Sequence, residues 1–268
     1  MTMAGDVYEI YAIKYGDHPE RKAQENFLFG DKSHDFMPID YFVWVITNNE
    51  RTIMVDTGFS KETAELRGRN FLRCPAESLK LINVNPDRLT DIVITHLHYD
   101  HAGNPDLFPH ARYHIQDREM SYATGRCMCH ASMRHAFAVD DVTSMVQKVY
   151  AGRVQFHEGT SQLAPGIMLH HVGGHTSGLQ VLRVNTNRGQ VVVASDASHM
   201  YANMEQGRPF PIIYNLGDML EGHQTCYRLA SSSDHVIPGH DPLVLKKYPA
   251  PSAALEGIVA RLDVSPTS

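Results

Sequence analysis

Basic residues are in the minority: Lys and Arg number 24 against 30 Asp and Glu, a formal net charge of −6. A protein that grips nucleic acid by neutralising phosphates needs the opposite balance, and no basic run lies beside aromatic residues, so nucleic acid is not an expected partner. Cysteine is scarce as well. Cys74, Cys127, Cys129 and Cys226 are the four in the chain, too few and too unevenly spaced for a disulfide framework, and they are read as reduced thiols. No stretch approaches the ~20 apolar residues that cross a bilayer, and Met1–Gly16 lacks the charged-then-apolar layout of a secretory leader. The expectation is a cytoplasmic protein with no membrane partner. Repeats, low-complexity tracts and Gly/Ser linkers are missing too, so nothing divides the chain into several domains.

What is present is an ordinary globular composition, 43% hydrophobic and 20% charged over 268 residues, enough to bury a sizeable core. The chain is read as one domain, residues 1–268. Aromatic and β-branched runs at 7–14 and 41–47 predict strands, the second joined through Asn48-Asn49-Glu50 to another at 52–55. Residues 61–68 read as a helix ending at Gly68, and 91–95 as a short buried strand. From about 117 to 150 the pattern turns helical, with Val142, Met145, Val146 and Val149 on one stripe, and a helical insertion is predicted there. Strands return at 166–171, 179–185 and 190–195, the last two joined by a turn at Asn187-Arg188-Gly189. A helix near 218–231, a strand at 234–237 and a surface helix introduced at Ala250–Ala253 complete the reading. Two groups of strands with helices between and after them predict a layered α/β fold, two packed sheets with helices outside.

Histidine is the abundant residue, 17 in the chain, and several fall in a pattern. Where the 91–95 run ends comes Thr95-His96-Leu97-His98-Tyr99-Asp100-His101. In extended backbone His96 and His98 project to one side, and a bend after His98 brings Asp100 and His101 to a second point nearby. Further candidates follow strand-like runs: His175 after Gly173-Gly174, Asp196 after VVVAS, and His240 after Pro238-Gly239. Loops at one sheet edge deliver such side chains to a shared cleft. Single buried histidines are common, but burying this many titratable groups together without a cation is costly. Five histidines and two carboxylates suit two divalent metal ions, zinc first, with iron, manganese or cobalt as alternatives.

His96-x-His98-x-Asp100-His101, then His175, Asp196 and His240, resembles the metallo-β-lactamase superfamily, and the spacing is most similar to its N-acyl-homoserine lactonase branch. Asp56-Thr57-Gly58 after the hairpin and Pro238-Gly239-His240 belong to the same pattern, which covers roughly residues 7–245. The resemblance implies a four-layer αβ/βα sandwich in which His96, His98 and His175 hold one metal and Asp100, His101 and His240 the other. It implies that Asp196 bridges the two and that Asp56 orients a ligand histidine.

Two cations a few ångströms apart would make hydroxide available near neutral pH, and a lactone carbonyl placed over them would be attacked, with Asp100 carrying the proton to the leaving oxygen. The expected substrate is a small lactone or ester, an N-acyl-homoserine lactone first, and the expected protein partner at most a second copy of the chain. The lactonase branch has a tyrosine three residues after the bridging aspartate where this sequence has His199. His199, acting through its N–H, or Tyr201 is the expected substrate contact; equally, the substrate is a different lactone. Met128, in the sulfur-rich Gly125–His130 segment, is expected on the wall of the substrate pocket. Among alternatives, a glyoxalase II-like enzyme would want a longer helical region than the 28 residues after His240, an RNA processor a basic surface, and a secreted β-lactamase a leader. A non-catalytic sensing module would have no need of the full ligand set.

Overall fold

A run such as Tyr41–Ile46 has no polar alternation, so it needs cover on both faces. The computed structural model describes residues 6–267 and supplies that cover. Met1–Gly5 and Ser268 lie outside the described residues, and with them the first part of the segment read as leaderless and the extreme ends of the assigned domain. The strands in chain order are β1 (Glu9–His18), β2 (Ile39–Thr47), β3 (Thr52–Val55), β4 (Asn70–Phe71), β5 (Asp91–Val93), β6 (Arg112–Gln116) and β7 (Val154–His157). They continue as β8 (Thr160–Ala164), β9 (Ile167–His171), β10 (Gln180–Thr186), β11 (Gly189–Ser195), β12 (Val236–Pro238) and β13 (Val259–Arg261).

One sheet runs β13-β1-β2-β3-β5-β6-β7, with β4 paired to β1; the other runs β12-β11-β10-β9-β8. Trp44 and Ile46 of β2 face the second sheet and pack with Leu182, Val184, Val191 and Val193, while Val43 and Val45 face outward onto Phe59, Leu79 and Tyr113. The outer face of the second sheet, through Val181, Val192 and Ala194, packs with Cys226 of the helix Leu216–Leu229. The layers are therefore helix, sheet, sheet, helix, the arrangement expected of αβ/βα sandwiches. The 117–150 segment lies between β6 and β7 as three short helices, Asp117–Ala123, Ala131–Arg134 and Val139–Tyr150, with a 3-10 turn between the first two. Of its predicted stripe Val142 and Met145 are buried and Val146 and Val149 only partly so.

The surface helix expected at Ala250–Ala253 is corrected. Only a 3-10 turn forms, Ala253–Leu255, and the chain then re-enters the first sheet as β13, pairing Ala260 with Ala12 of β1. Pro249 and Pro251 deny the segment helical hydrogen bonds, while Val259 and Ala260 gain burial by pairing. Strands β6, β7 and β8 escaped the sequence reading. Arg112–Gln116 carries three polar residues in five, and its strand state follows from parallel pairing with β5 and β7.

The site depends on where strands end. β3, β5, β6 and β7 run parallel, as do β11 and β12, so the loops after β3, β5, β11 and β12 leave at matching edges of the two packed sheets. The loop after β9 joins them.

Candidate metal centre

His96 stands three residues beyond the end of β5, and His98, in extended backbone, caps the one-turn helix Tyr99–Ala102, which carries Asp100 and His101. His175 comes from the loop after β9, Asp196 follows β11 directly, and His240 follows β12. The chain accepts a left-handed backbone at two of these junctions, Asp56 (φ 60°) and Ser195 (φ 46°), at a cost of about 1 kcal/mol each. Cross-ties offset it: Thr95 donates its N–H and hydroxyl to Asp56, and its Oγ lies 2.9 Å from Ser195 Oγ, linking the two sheets under the site. Gly239 is required before His240, because a Cβ there would come within 2.5 Å of Asp196 Oδ1.

The seven residues named from the sequence as metal ligands come together as two triads and a shared carboxylate. In the first, His98 Nδ1 lies 3.1 Å from His96 Nε2 and 2.9 Å from His175 Nε2. In the second, Asp100 Oδ2 lies 3.8 Å from His101 Nε2 and 3.6 Å from His240 Nε2. Asp196 stands between them. Its Oδ2 is 3.6 Å from His96 Nε2 and 3.1 Å from His175 Nε2, and its Oδ1 is 3.4 Å from His101 Nε2 and 3.0 Å from His240 Nε2. All seven are buried.

The far nitrogens of four of these imidazoles are occupied. His101 Nδ1 meets Asp56 Oδ2 at 2.7 Å, His240 Nδ1 meets the Asp40 carbonyl at 2.9 Å, His175 Nδ1 meets the Ile212 carbonyl at 2.8 Å, and His96 Nδ1 lies 3.1 Å from Thr95 Oγ. Toward a carbonyl or carboxylate, Nδ1 carries the proton and Nε2 turns a lone pair inward, as a metal ligand must. His101 Nε2, His240 Nε2 and Asp196 Oδ1 are buried without a hydrogen-bond partner among the described residues, although they lie close to one another. Atoms so placed point at a common centre instead of at each other, which fits a divalent cation and fits little else.

The electrostatics differ between triads. Burial first, and neighbouring imidazoles second, push His96 and His98 well below the usual histidine range, so both are neutral ligands. Burial works the same way on His101, but Asp196, Asp100 and Asp56 outweigh it and hold its pKa well above the ordinary value. For His240 burial is again opposed and overcome, by Asp196 and Asp100. Burial also opposes ionisation of Asp196, yet His199, His240, His101 and His175 keep it anionic. The second triad thus sits in a field that draws positive charge.

Asp56 occupies the orienting place implied for it. His199 lines the cleft where a substrate would lie: its Nε2 is 3.1 Å from Asp196 Oδ2, its Nδ1 is buried without a hydrogen-bond partner among the described residues, and its ring stacks on Phe210 at 3.5 Å. With Asp196 and His240 it forms a third group able to hold a metal. Tyr201 is placed elsewhere. It begins the helix Tyr201–Glu205, and its ring packs into the core between the sheets beneath Lys247. Met128 packs against the outer core and Cys127 borders a separate depression near Tyr122 and Tyr214. Neither lines the cleft, because the Arg126–Cys129 turn folds away from it.

The cleft above the triads measures about 440 Å3 and is walled by Tyr41, Tyr99, Phe210 and Ile212 among others, a size for a small ligand. A larger depression of about 640 Å3 near Leu28, Phe29 and Leu216 holds only the ion pair Asp31–Arg208 and no ligand cluster. Sequence reasoning missed Glu119. Buried on the helix Asp117–Ala123, it accepts from Leu97 N–H at 2.8 Å, the Thr176 hydroxyl at 2.7 Å and Gly178 N–H at 3.0 Å, clamping the His96–His98 loop to the His175 loop. Gly178 permits the contact, since a Cβ there would lie 2.1 Å from Glu119 N. No spacing signal marks Glu119, whereas Tyr99 lay inside the motif itself.

The sequence profile of the metallo-beta-lactamase superfamily matches residues 38–233, more than half of the chain. The chain belongs to the metallo-beta-lactamase superfamily. Its two buried His/Asp clusters are those of a dinuclear centre in this fold. Within the superfamily the chain is similar to an N-acyl homoserine lactonase of Bacillus sp., 27% identical over 64% of this chain and 70% of the relative. It is also similar to the N-acyl homoserine lactonase AiiB of Rhizobium rhizogenes, 26% identical over 70% and 77% respectively. Among solved structures, a quorum-quenching N-acyl homoserine lactone lactonase superposes with a TM-score of 0.72 at 22% identity, over 89% of this chain and 94% of that one. At that identity the likeness speaks for the fold.

Proposed function

We propose that this superfamily member hydrolyses the ester bond of a lactone ring, with N-acyl homoserine lactones the first substrates to try and a pair of zinc ions the first metals. The observation that carries the reading is Asp196, whose two oxygens face two separate triads; the lactonases among the relatives direct it to lactones. Bound there, two divalent cations supply Lewis acidity towards a carbonyl oxygen and a water acidic enough to react near neutral pH.

The chain's own residues supply the rest. His96, His98 and His175 would hold one ion and Asp100, His101 and His240 the other, with Asp196 available to both. Asp56, the Asp40 and Ile212 carbonyls and Thr95 keep the rings from rotating, so the donor atoms are preorganised. Asp100, whose Oδ2 faces the centre, takes the proton released on attack at the carbonyl and returns it to the alkoxide oxygen as the ring opens. His199 acts as a positioning residue, holding Asp196 Oδ2 with one nitrogen while Phe210 fixes its ring. Phe210 and Ile212 give the cleft an apolar stretch of wall.

The test is a panel of lactone, lactam, thioester and phosphodiester substrates on zinc-loaded protein with metal analysis. Lactone turnover that disappears with chelation and returns with zinc is expected. Two bound metals with turnover of lactams or phosphodiesters only would overturn the substrate and leave the centre standing.

A further inference from the structure

Three guanidinium groups, Arg21, Arg67 and Arg69, border the cleft over the metal centre. Every arginine ion pair among the described residues belongs to Arg51, Arg208 or Arg261, so none of the three meets a carboxylate side chain. Glu25 also borders the cleft, but it is exposed and its carboxylate accepts from the Lys22 N–H.

The three are not equivalent. Arg67 is spent on structure: Nη1 and Nη2 each donate at 2.9 Å, to the His135 and Phe137 carbonyls, and its plane lies 3.9 Å over Tyr99. Arg21 donates to Asn26 and the Glu25 carbonyl and stacks over Phe210 at 4.8 Å. Arg69 makes two long hydrogen bonds, 3.4 Å each, to the Tyr99 hydroxyl and the Gly68 carbonyl, and also faces the Tyr41 hydroxyl. A guanidinium has five N–H donors, so Arg69 is under-used although half-buried.

Both groups are one or two rings from a ligand. Arg21 lies over Phe210, which stacks on His199 beside Asp196. Arg69 meets Tyr99, whose hydroxyl is 3.1 Å from that of Tyr41, and the Tyr41 ring packs on His240 at 5.2 Å. A chain with net charge −6 thus gathers three guanidinium groups at the mouth of one small cleft, with the exposed Glu25 carboxylate acting on Arg21 and Asp141 on Arg67 but none of them in a direct ion pair, which focuses a positive field there.

We propose that the substrate opened at this centre carries a carboxylate, held by Arg69 and Arg21 at the mouth while its ester carbonyl sits at the metals. The inference rests on the lactone reading above and narrows it to anionic lactones. A planar guanidinium with free donors matches a carboxylate in charge and geometry, and a neutral acyl chain would leave the spare donors of Arg69 without a charged acceptor.

The experiment compares a five-membered lactone bearing a ring carboxylate with the same lactone as its primary carboxamide, on zinc-loaded protein at low salt. Expected is a kcat/KM higher by roughly tenfold or more for the carboxylate, mostly in KM and shrinking as salt rises. In Arg69→Gln and in Arg21→Gln that preference falls toward unity with zinc content unchanged. Arg67→Gln, altering a clamp, lowers both substrates alike and serves as the control for lost shape. Equal turnover of the pair, or preference for the carboxamide, overturns the proposal and leaves lactone hydrolysis intact. If no lactone is turned over, the lactone reading falls, and calorimetry of glutarate against pentanoate decides the anion site alone. Tighter glutarate binding that Arg69→Gln abolishes supports the site; no difference overturns it.

Discussion

Asp196 on the cleft floor and Asp141 on the helix that backs its mouth are both carboxylates drawn out of water, with opposite results. Imidazoles on several sides keep Asp196 ionised despite burial. Asp141 has one oxygen buried without a hydrogen-bond partner among the described residues, and burial, with Asp140 beside it, outweighs the nearby Arg67 guanidinium and pushes its pKa up to about 6. The floor is built so that every buried charge answers another. At the mouth the answer is weaker: Arg67 only partly offsets the burial of Asp141, Arg69 faces tyrosine hydroxyls and a carbonyl, and the residues there hold carbonyls and rings.

The sharpest way to break that contrast is Asp196→Ala against Arg67→Gln. Loss of the shared carboxylate is expected to lower turnover by at least roughly a thousandfold and to strip metal, whereas the mouth variant loses about tenfold or less with metal retained. Kinetics and metal analysis on both proteins check it, and comparable losses would erase the distinction.

Next in size is Glu119→Ala. It leaves the Leu97 and Gly178 N–H groups and the Thr176 hydroxyl buried without an acceptor, and should cost about 3 kcal/mol in urea unfolding. Glu119→Gln, keeping an acceptor, should cost less, and a value near zero for the alanine variant would mean that the two ligand loops hold themselves.

The smallest effect belongs to Asp141→Asn. A folded-state pKa raised above the ordinary 3.8 means that the folded protein binds the proton more tightly, so stability is lost as pH rises from about 4 through about 6. The asparagine variant should therefore be more stable at pH 8, by about 1 kcal/mol after allowance for partial exposure, and should gain nothing near pH 4. Thermal midpoints at the two pH values check the sign.

The floor was legible because its code is local. His96 and His98 stand two apart just beyond a short apolar strand, Asp100 and His101 follow within one turn, and Asp196 and His240 each stop a recognisable apolar run. Asp56 was legible for the same reason, standing at a hairpin's end. The mouth was not, because Arg21, Arg69 and Phe210 come from loops far apart in the chain with no period to betray them. Tyr201 misled for a related cause: two residues from His199 in the chain, it turns into the core once a helix begins at that point. The strands Arg112–Gln116 and Val259–Arg261 owe their state to neighbours, with polar or short sequences that only pairing makes extended.

By itself the order of residues determined the fold class and named the candidate ligands that the fold brings together, since ligand identity and strand alternation are properties of short segments. Tertiary structure alone decided that Asp196 turns one oxygen to each triad, that Glu119 clamps two loops, and that Arg21, Arg67 and Arg69 gather at the entrance. Those facts arise where distant segments meet, and the meeting is set by how two sheets pack and where their strands end.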